Sequence, residues 1–422
     1  MNSLKFRLTV LNFLEFAIWG TYLTCMSRYL ITAGLGDYIS YFYSVQGFVS
    51  LFMPALMGIV ADRWIQAQKT LSLCQFIAGI AMCAVAFYGN SAGSDANFSI
   101  LFSLYTLSVA FYMPTIALTN SVAYAALEGA GEDTVKAFPP IRVWGTIGFI
   151  IAMLCVDWSG LQDKPWQFAV SGGLSIIMGI YALTMPACPT NQGGEKKSLV
   201  DALGLRAFAL FKQRKMAIFF IFSMLLGSAL QITNGYANPF IASFGAESAF
   251  ADTFGVQHAN TLISLSQISE TLCILLIPFF LKRFGIKIVM LMSMFAWVLR
   301  FGFFGLGDPG QGVWLFILSM IVYGVAFDFF NISGSLFVDQ ETDLNIRSSA
   351  QGLFMMMTNG FGASIGMLLA GEVVNHYTHG EVVNGEFYTV GDWTTCWYIF
   401  AGYALVVAIL FAILFRYKHK RE

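Results

Sequence analysis

Apolar segments of about 20 residues recur along this chain with few charges inside them, and that recurrence restricts the fold more than any other feature. A helix rises 1.5 Å per residue, so about 20 residues cross the roughly 30 Å hydrocarbon core of a bilayer. Twelve such segments are read at 8–30, 39–61, 70–90, 98–122, 141–157, 166–186, 216–240, 258–281, 286–306, 312–335, 348–375 and 393–415. Lipid offers no partner to a backbone N–H or C=O, so each segment is expected to be helical and the protein an all-α integral membrane protein. Only 11% of the 422 residues are charged and 57% are hydrophobic, which leaves no room for a sizeable water-soluble domain. A net charge of -1 supplies no electrostatic footprint for nucleic acid. The seven cysteines lack paired spacing and read as packing residues.

One long polar stretch, Pro189 to Lys215, carries six basic residues and separates six segments from six. The expected organisation is an N-terminal six-helix bundle over 1–188, a central loop over 189–215 and a C-terminal six-helix bundle over 216–422. If the segments alternate, Lys5, Arg7, Arg63, Lys69, Lys136, the central basic residues, Lys282, Arg283, Lys287, Arg347 and the tail Arg416 to Arg421 share one side. The other side holds Arg28 and Lys164. The positive-inside rule then places both termini and the central loop in the cytoplasm. The first segment is too long for a cleavable signal peptide and has no small-residue cleavage site, so it is expected to stay in the mature chain.

The halves echo each other at a six-helix offset. Ile141-Arg142 precedes Phe149 by the interval that separates Ile346-Arg347 from Phe354, and Asn120 stands to Glu128 as Asn331 stands to Asp339. Internal repeats of this kind mark transporter folds.

Polar pairs at helical spacing interrupt the apolar segments: Arg142 with Thr146, Gln231 with Asn234, Gln267 with Glu270, and Asp328 with Asn331. Polar and ionisable groups are expensive in lipid, so their grouping points to a shared interior cavity. Gln267 and Glu270 lie about 14–18 Å from the outer end of their segment at 1.5 Å per residue, near mid-membrane. Phe149 joins the stripe of Arg142 and Thr146, while Tyr323 and Phe327 are four apart beside Asp328. Amides pair donors with acceptors as a nucleobase edge does, aromatic rings offer a stacking face, and carboxylate with guanidinium can bracket sugar hydroxyls. A neutral, hydroxyl-rich, ring-bearing solute fits this inventory; a nucleoside suits it better than a hexose, which stays open. The amides also read as interhelical hydrogen-bond glue, Arg142 as a side chain reaching the interface, and Glu15 and Arg300 each as a member of a helix-packing ion pair. Gly362-Ala-Ser364-Ile-Gly366 matches a nucleophile elbow but sits inside a membrane segment, and neither a phosphate loop nor a His-Glu-x-x-His site is present in the sequence. No enzyme is expected.

Between the second and third segments, Gly58-x-x-x-Asp62-Arg63 resembles a shortened loop signature of the major facilitator superfamily. The stretches Phe138-Pro-Pro-Ile-Arg-Val-Trp-Gly-Thr-Ile-Gly-Phe149, Leu230-Gln-Ile-Thr-Asn234, Val256-Gln-His-Ala259 with Ser266-Gln-Ile-Ser-Glu270, Tyr323 to Ser333 and Gln351 to Gly360 resemble the bacterial nucleoside:proton symporters of that superfamily. The resemblance runs from the first segment to the basic tail, and departs from the family pattern in the outer loops, Gly380 to Thr389 included, and at Gly235-Tyr-Ala-Asn238. It implies the major facilitator fold, two pseudo-symmetric six-helix bundles of twelve transmembrane helices, in the bacterial cytoplasmic (inner) membrane. It implies proton-coupled uptake of purine and pyrimidine nucleosides by alternating access, with no cofactor beyond the coupling proton and a monomer as the working unit. Family binding positions fall on Arg142, Thr146, Phe149, Gln231, Asn234, Gln267, Glu270, Tyr323 and Phe327, with Asp328 or Glu270 taking the proton. A proton-coupled sugar symporter and an uncoupled nucleoside facilitator are the alternatives among transporters. A nucleoside-binding membrane sensor would need a signalling domain that the sequence does not show.

Overall fold

The computed structural model describes residues 3–190, 205–343 and 346–417. Part of the expected central loop and the end of the basic tail therefore lie outside the described residues. The chain divides into two compact units, Met1–Tyr38 with Phe48–Leu203 and Ile39–Gly47 with Gly204–Glu422.

The first unit holds α1 (Ser3–Gly20), α2 (Met26–Thr32), the end of α3 (Ile39–Ser50), α4 (Met53–Arg63), α5 (Ala67–Ala92), α6 (Phe98–Gly129), α7 (Thr134–Trp158) and α8 (Trp166–Leu183). The second holds the start of α3, α9 (Arg214–Ser243), α10 (Phe254–Gln257), α11 (Ala259–Leu306), α12 (Val313–Glu341) and α13 (Arg347–Met355). A π-helical turn over Met356–Gly362, α14 (Ala363–Tyr377), β1 (Thr378–Val383), β2 (Glu386–Gly391) and α15 (Trp393–Leu414) complete it.

Among the described residues, nine helical stretches are long and apolar enough to cross a membrane. The other three expected segments fall on α1 with α2 and on the two limbs of α11. The first is interrupted by turns at Thr21–Cys25, and the second pair is joined through Gly285, whose φ of 77° in the left-handed region is open to glycine at little cost. Helices also outrun their apolar segments, because backbone hydrogen bonding does not stop where the lipid does. α7 starts at Thr134, ahead of the expected 141, and carries Pro139 and Pro140 inside it.

The chain is not wholly helical. β1 and β2 pair antiparallel from Thr378 opposite Gly391 to Val383 opposite Glu386. Asn384 and Gly385 join them with φ of 54° and 84°, the two positive values that a tight two-residue hairpin turn requires.

Glycines let helix backbones touch where the candidate site is assembled. A Cβ on Gly148 of α7 would collide with the Phe13 carbonyl of α1, and one on Gly20 would meet the Phe149 carbonyl. Hence α1 lies directly against the α7 residues of interest. In the second unit, Gly227 of α9 is closed against the Thr358 carbonyl of the π turn. Each half also ties the start of its first helix to the end of its fourth segment, by Lys5 with Glu132 at 2.9 Å and by Lys215 with Glu341. Arg347 adds an ion pair to Asp339 at 3.2 Å.

Candidate substrate and proton site

In the first unit, Arg142, Thr146 and Phe149 follow one another along α7, half-buried, half-buried and buried. The Arg142 guanidinium sits over the Phe16 ring of α1 at 4.0 Å, and Phe149 meets Trp19 edge-on at 6.4 Å between ring centroids. Cation–π contact holds the guanidinium plane against α1 while leaving its N–H edge to polar partners.

Behind this stripe lies Glu15, wholly buried. Its Oε2 accepts from Gln75 Nε2 at 2.8 Å and from Thr119 Oγ1 at 3.1 Å; its Oε1 is 2.5 Å from Thr115 Oγ1. Gln75 in turn accepts from Ser175 Oγ of α8. Arg142 is within electrostatic reach of the carboxyl. Four helices besides α1 thus converge on one acid.

In the second unit, Asn234 Nδ2 donates to Gln231 Oε1 at 3.4 Å on α9. Gln267 of α11 lies beside Tyr323 of α12, and the Tyr323 and Phe327 rings stack 5.9 Å apart at 8°. Tyr323 feels the charges of Glu270, Asp328 and Arg300. Asp328 is 5% exposed, interacts with Glu270, and leaves Oδ2 without a hydrogen-bond partner. Asn331, paired with Asp328 by spacing, instead donates to the Phe327 carbonyl of its own helix at 3.0 Å.

Arg300 corrects an expectation. It is wholly buried yet faces no carboxylate among the described residues, so it is not half of a helix-packing ion pair. Its Nη1 donates to the Ser319 carbonyl at 2.7 Å, and its guanidinium lies 4.7 Å from the Tyr323 ring. A cation behind an aromatic ring polarises and braces it, so Arg300 backs the Tyr323–Phe327 stack.

Each unit carries its own group of polar and aromatic side chains. The first presents a guanidinium, a hydroxyl and an aromatic ring; the second presents three amides, a stacked aromatic pair and two carboxylates.

Comparison with known proteins gives the family. The family model described as Nucleoside H+ symporter matches residues 1–420. This chain belongs to the nucleoside H+ symporter family. The xanthosine permease of Escherichia coli strain K12 is 48% identical over 424 residues, 100% of this chain and 98% of that one. Nucleoside permease NupG of the same organism is 48% identical over 422 residues, 99% of this chain and 97% of that one. A crystal structure of nucleoside transporter NupG matches with a TM-score of 0.89 at 48% identity, over 99% of this chain and 100% of that chain. The expected class, a helical membrane transporter of the major facilitator kind, is the one found, and proton-coupled nucleoside symport is the activity of the family.

For this symporter the amides can be separated from helix glue by substitution. Gln267→Ala removes the amide beside Tyr323, and Asn234→Ala the partner of Gln231. Losing a partner for a buried polar group costs about 1–3 kcal/mol, or roughly 5- to 150-fold in affinity. Both variants are expected to weaken uridine binding by that much with folded yield unchanged, as measured on purified protein. Wild-type affinity in both would return the amides to a packing role.

Proposed function

We propose that this protein carries nucleosides such as uridine into the cell with protons, by alternating access across the bacterial cytoplasmic membrane. The observation that carries the reading is the stacked Tyr323–Phe327 pair, with Gln267 beside Tyr323 and two carboxylates in electrostatic reach of it. A flat ring for a base, amides for its edge and acids for hydroxyls and a proton meet there. The full-length relatives named xanthosine permease and nucleoside permease support it. On this reading Arg142, Thr146, Phe149, Gln231, Asn234, Gln267, Glu270, Tyr323 and Phe327 bind the solute, and Asp328 with Glu270 handles the proton. No cofactor beyond the proton takes part, the protein is no enzyme, and it works as a monomer of two six-helix bundles over 1–188 and 216–422 in lipid.

The test is uptake of radiolabelled uridine into vesicles with and without an imposed pH gradient. Accumulation above the external concentration only with the gradient is expected; equilibration that ignores the gradient would leave an uncoupled facilitator, and competition by hexose would redirect the substrate. The basic residues favour cytoplasmic termini and a cytoplasmic central loop. A cysteine introduced at Gln192 is therefore expected to react with impermeant reagents from the cytoplasmic side alone, and labelling in intact cells would reverse the orientation.

A further inference from the structure

Arg300 carries a full positive charge that no anion among the described residues answers. Its side chain is wholly buried on the second limb of α11, and a guanidinium holds its proton at any ordinary pH. The polar partners are all neutral: Nη1 donates to the Ser319 carbonyl at 2.7 Å and reaches Ser266 Oγ at 3.4 Å, while Nε reaches Thr233 Oγ1 at 3.4 Å. Nη2 is buried and has no hydrogen-bond partner among the described residues. Burying a cation without an anion is expensive, and a hydrophobic side chain of similar volume would fill the same space without that cost. Packing alone therefore gives no reason for the charge.

Its position gives one. Thr233 precedes Asn234, Ser266 precedes Gln267 and Ser319 lies one turn before Tyr323, so Arg300 touches the chain neighbours of three residues read as binding the solute. The guanidinium also lies 4.7 Å from the Tyr323 ring itself. Aromatic groups stack with centroids about 4.5–7 Å apart, so a base on the Tyr323 ring stands about 10 Å from the Arg300 charge. At an effective dielectric of about 20, repulsion between two positive charges at that distance corresponds to roughly tenfold in affinity. We propose that Arg300 is a specificity-determining residue that discriminates against nucleosides whose base carries a positive charge. A neutral base keeps the whole benefit of stacking, whereas a cationic base of nearly the same shape loses part of it. The inference rests on the reading of Tyr323 as a solute-binding residue. Glu270 and Asp328 also act on Tyr323 and draw a cation inward, so the part played by Arg300 is read from the change that its substitution makes.

Guanosine and 7-methylguanosine, titrated calorimetrically onto purified protein in mildly acidic buffer, test this, because they differ by one methyl group and only the methylated base is a cation there. Arg300→Met is expected to improve binding of 7-methylguanosine relative to guanosine by about tenfold over wild type. Arg300→Lys keeps the charge and is expected to hold the wild-type ratio to within about threefold. A general loosening of the site acts on both nucleosides alike, so a merely structural Arg300 leaves the ratio unmoved. An unmoved ratio in folded Arg300→Met overturns the proposal, and so does an Arg300→Lys variant that behaves as Arg300→Met. Should Arg300→Met not fold, Arg300→Gln removes the charge while keeping a donor for the Ser319 carbonyl, and is read in the same way. Binding of neither nucleoside by wild type would overturn the nucleoside reading and this proposal with it; guanosine binding with an unmoved ratio overturns this proposal alone.

Discussion

Asp328→Asn is expected to abolish accumulation of uridine driven by a pH gradient while leaving measurable uridine binding. Asp328 is buried on α12, and its Oδ2 has no hydrogen-bond partner among the described residues. An unpaired carboxylate charge is costly to bury, and a proton on that oxygen removes the cost. Glu270 acts on it electrostatically, so a second negative charge stands close by whenever both acids are ionised. Asparagine keeps the shape and carries no exchangeable proton. One pH unit is worth 1.36 kcal/mol per proton, so a symporter moving one proton per nucleoside sustains a concentration ratio of about tenfold per pH unit. In vesicles the wild type is expected to approach that ratio, and Asp328→Asn to settle near equal concentrations. A variant that still concentrates uridine in step with the gradient would move coupling to Glu270.

Glu270→Gln is expected to fail differently, at binding itself. Glu270 is one turn from Gln267 on α11, half-buried where Asp328 is enclosed, and both act on the Tyr323 hydroxyl end of the aromatic stack. A carboxylate accepting from solute hydroxyls makes charge-assisted hydrogen bonds of about 1.5–3 kcal/mol. Glutamine substitutes a weaker acceptor and a misplaced donor, which corresponds to roughly a 10- to 150-fold loss of uridine affinity. Calorimetric titration of purified protein reads this directly. Unchanged affinity in Glu270→Gln, with uptake lost, would exchange the roles of the two acids.

The membrane-spanning elements were legible because lipid leaves the backbone one solution, and the pairs Gln231/Asn234 and Tyr323/Phe327 because their spacing of three or four marks one helix face. Glu15 shows the limit of that reasoning. Its partners Gln75, Thr115 and Thr119 lie 60, 100 and 104 residues away on other helices, and although Thr115 and Thr119 are four apart on one face, a hydroxyl can also bond a carbonyl of its own helix, as Thr115 does with Tyr112, so the spacing names no distant partner. Arg300 misled for a related reason: charge in a membrane segment suggests an opposite charge, whereas here a main-chain carbonyl and an aromatic face meet it. The hairpin had a signal in Val382-Val-Asn-Gly385, masked by its place between two membrane segments.

The π turn at Met356–Gly362 makes position within this part of the chain matter for changes of length as well as of composition. A π turn accommodates one residue more than an α turn, so the helix faces on either side are offset by about 100° from an uninterrupted helix. Deleting one residue there would let regular hydrogen bonding run through with Arg347–Met355 close to its present phase and Arg347 still toward Asp339, whereas the same deletion inside the regular helix α14 would turn its two sides by about 100°. The π turn thus behaves as a slack link that takes up one residue of length: a single-codon deletion falling within it is expected to be tolerated where one a few residues away would change which face each group occupies.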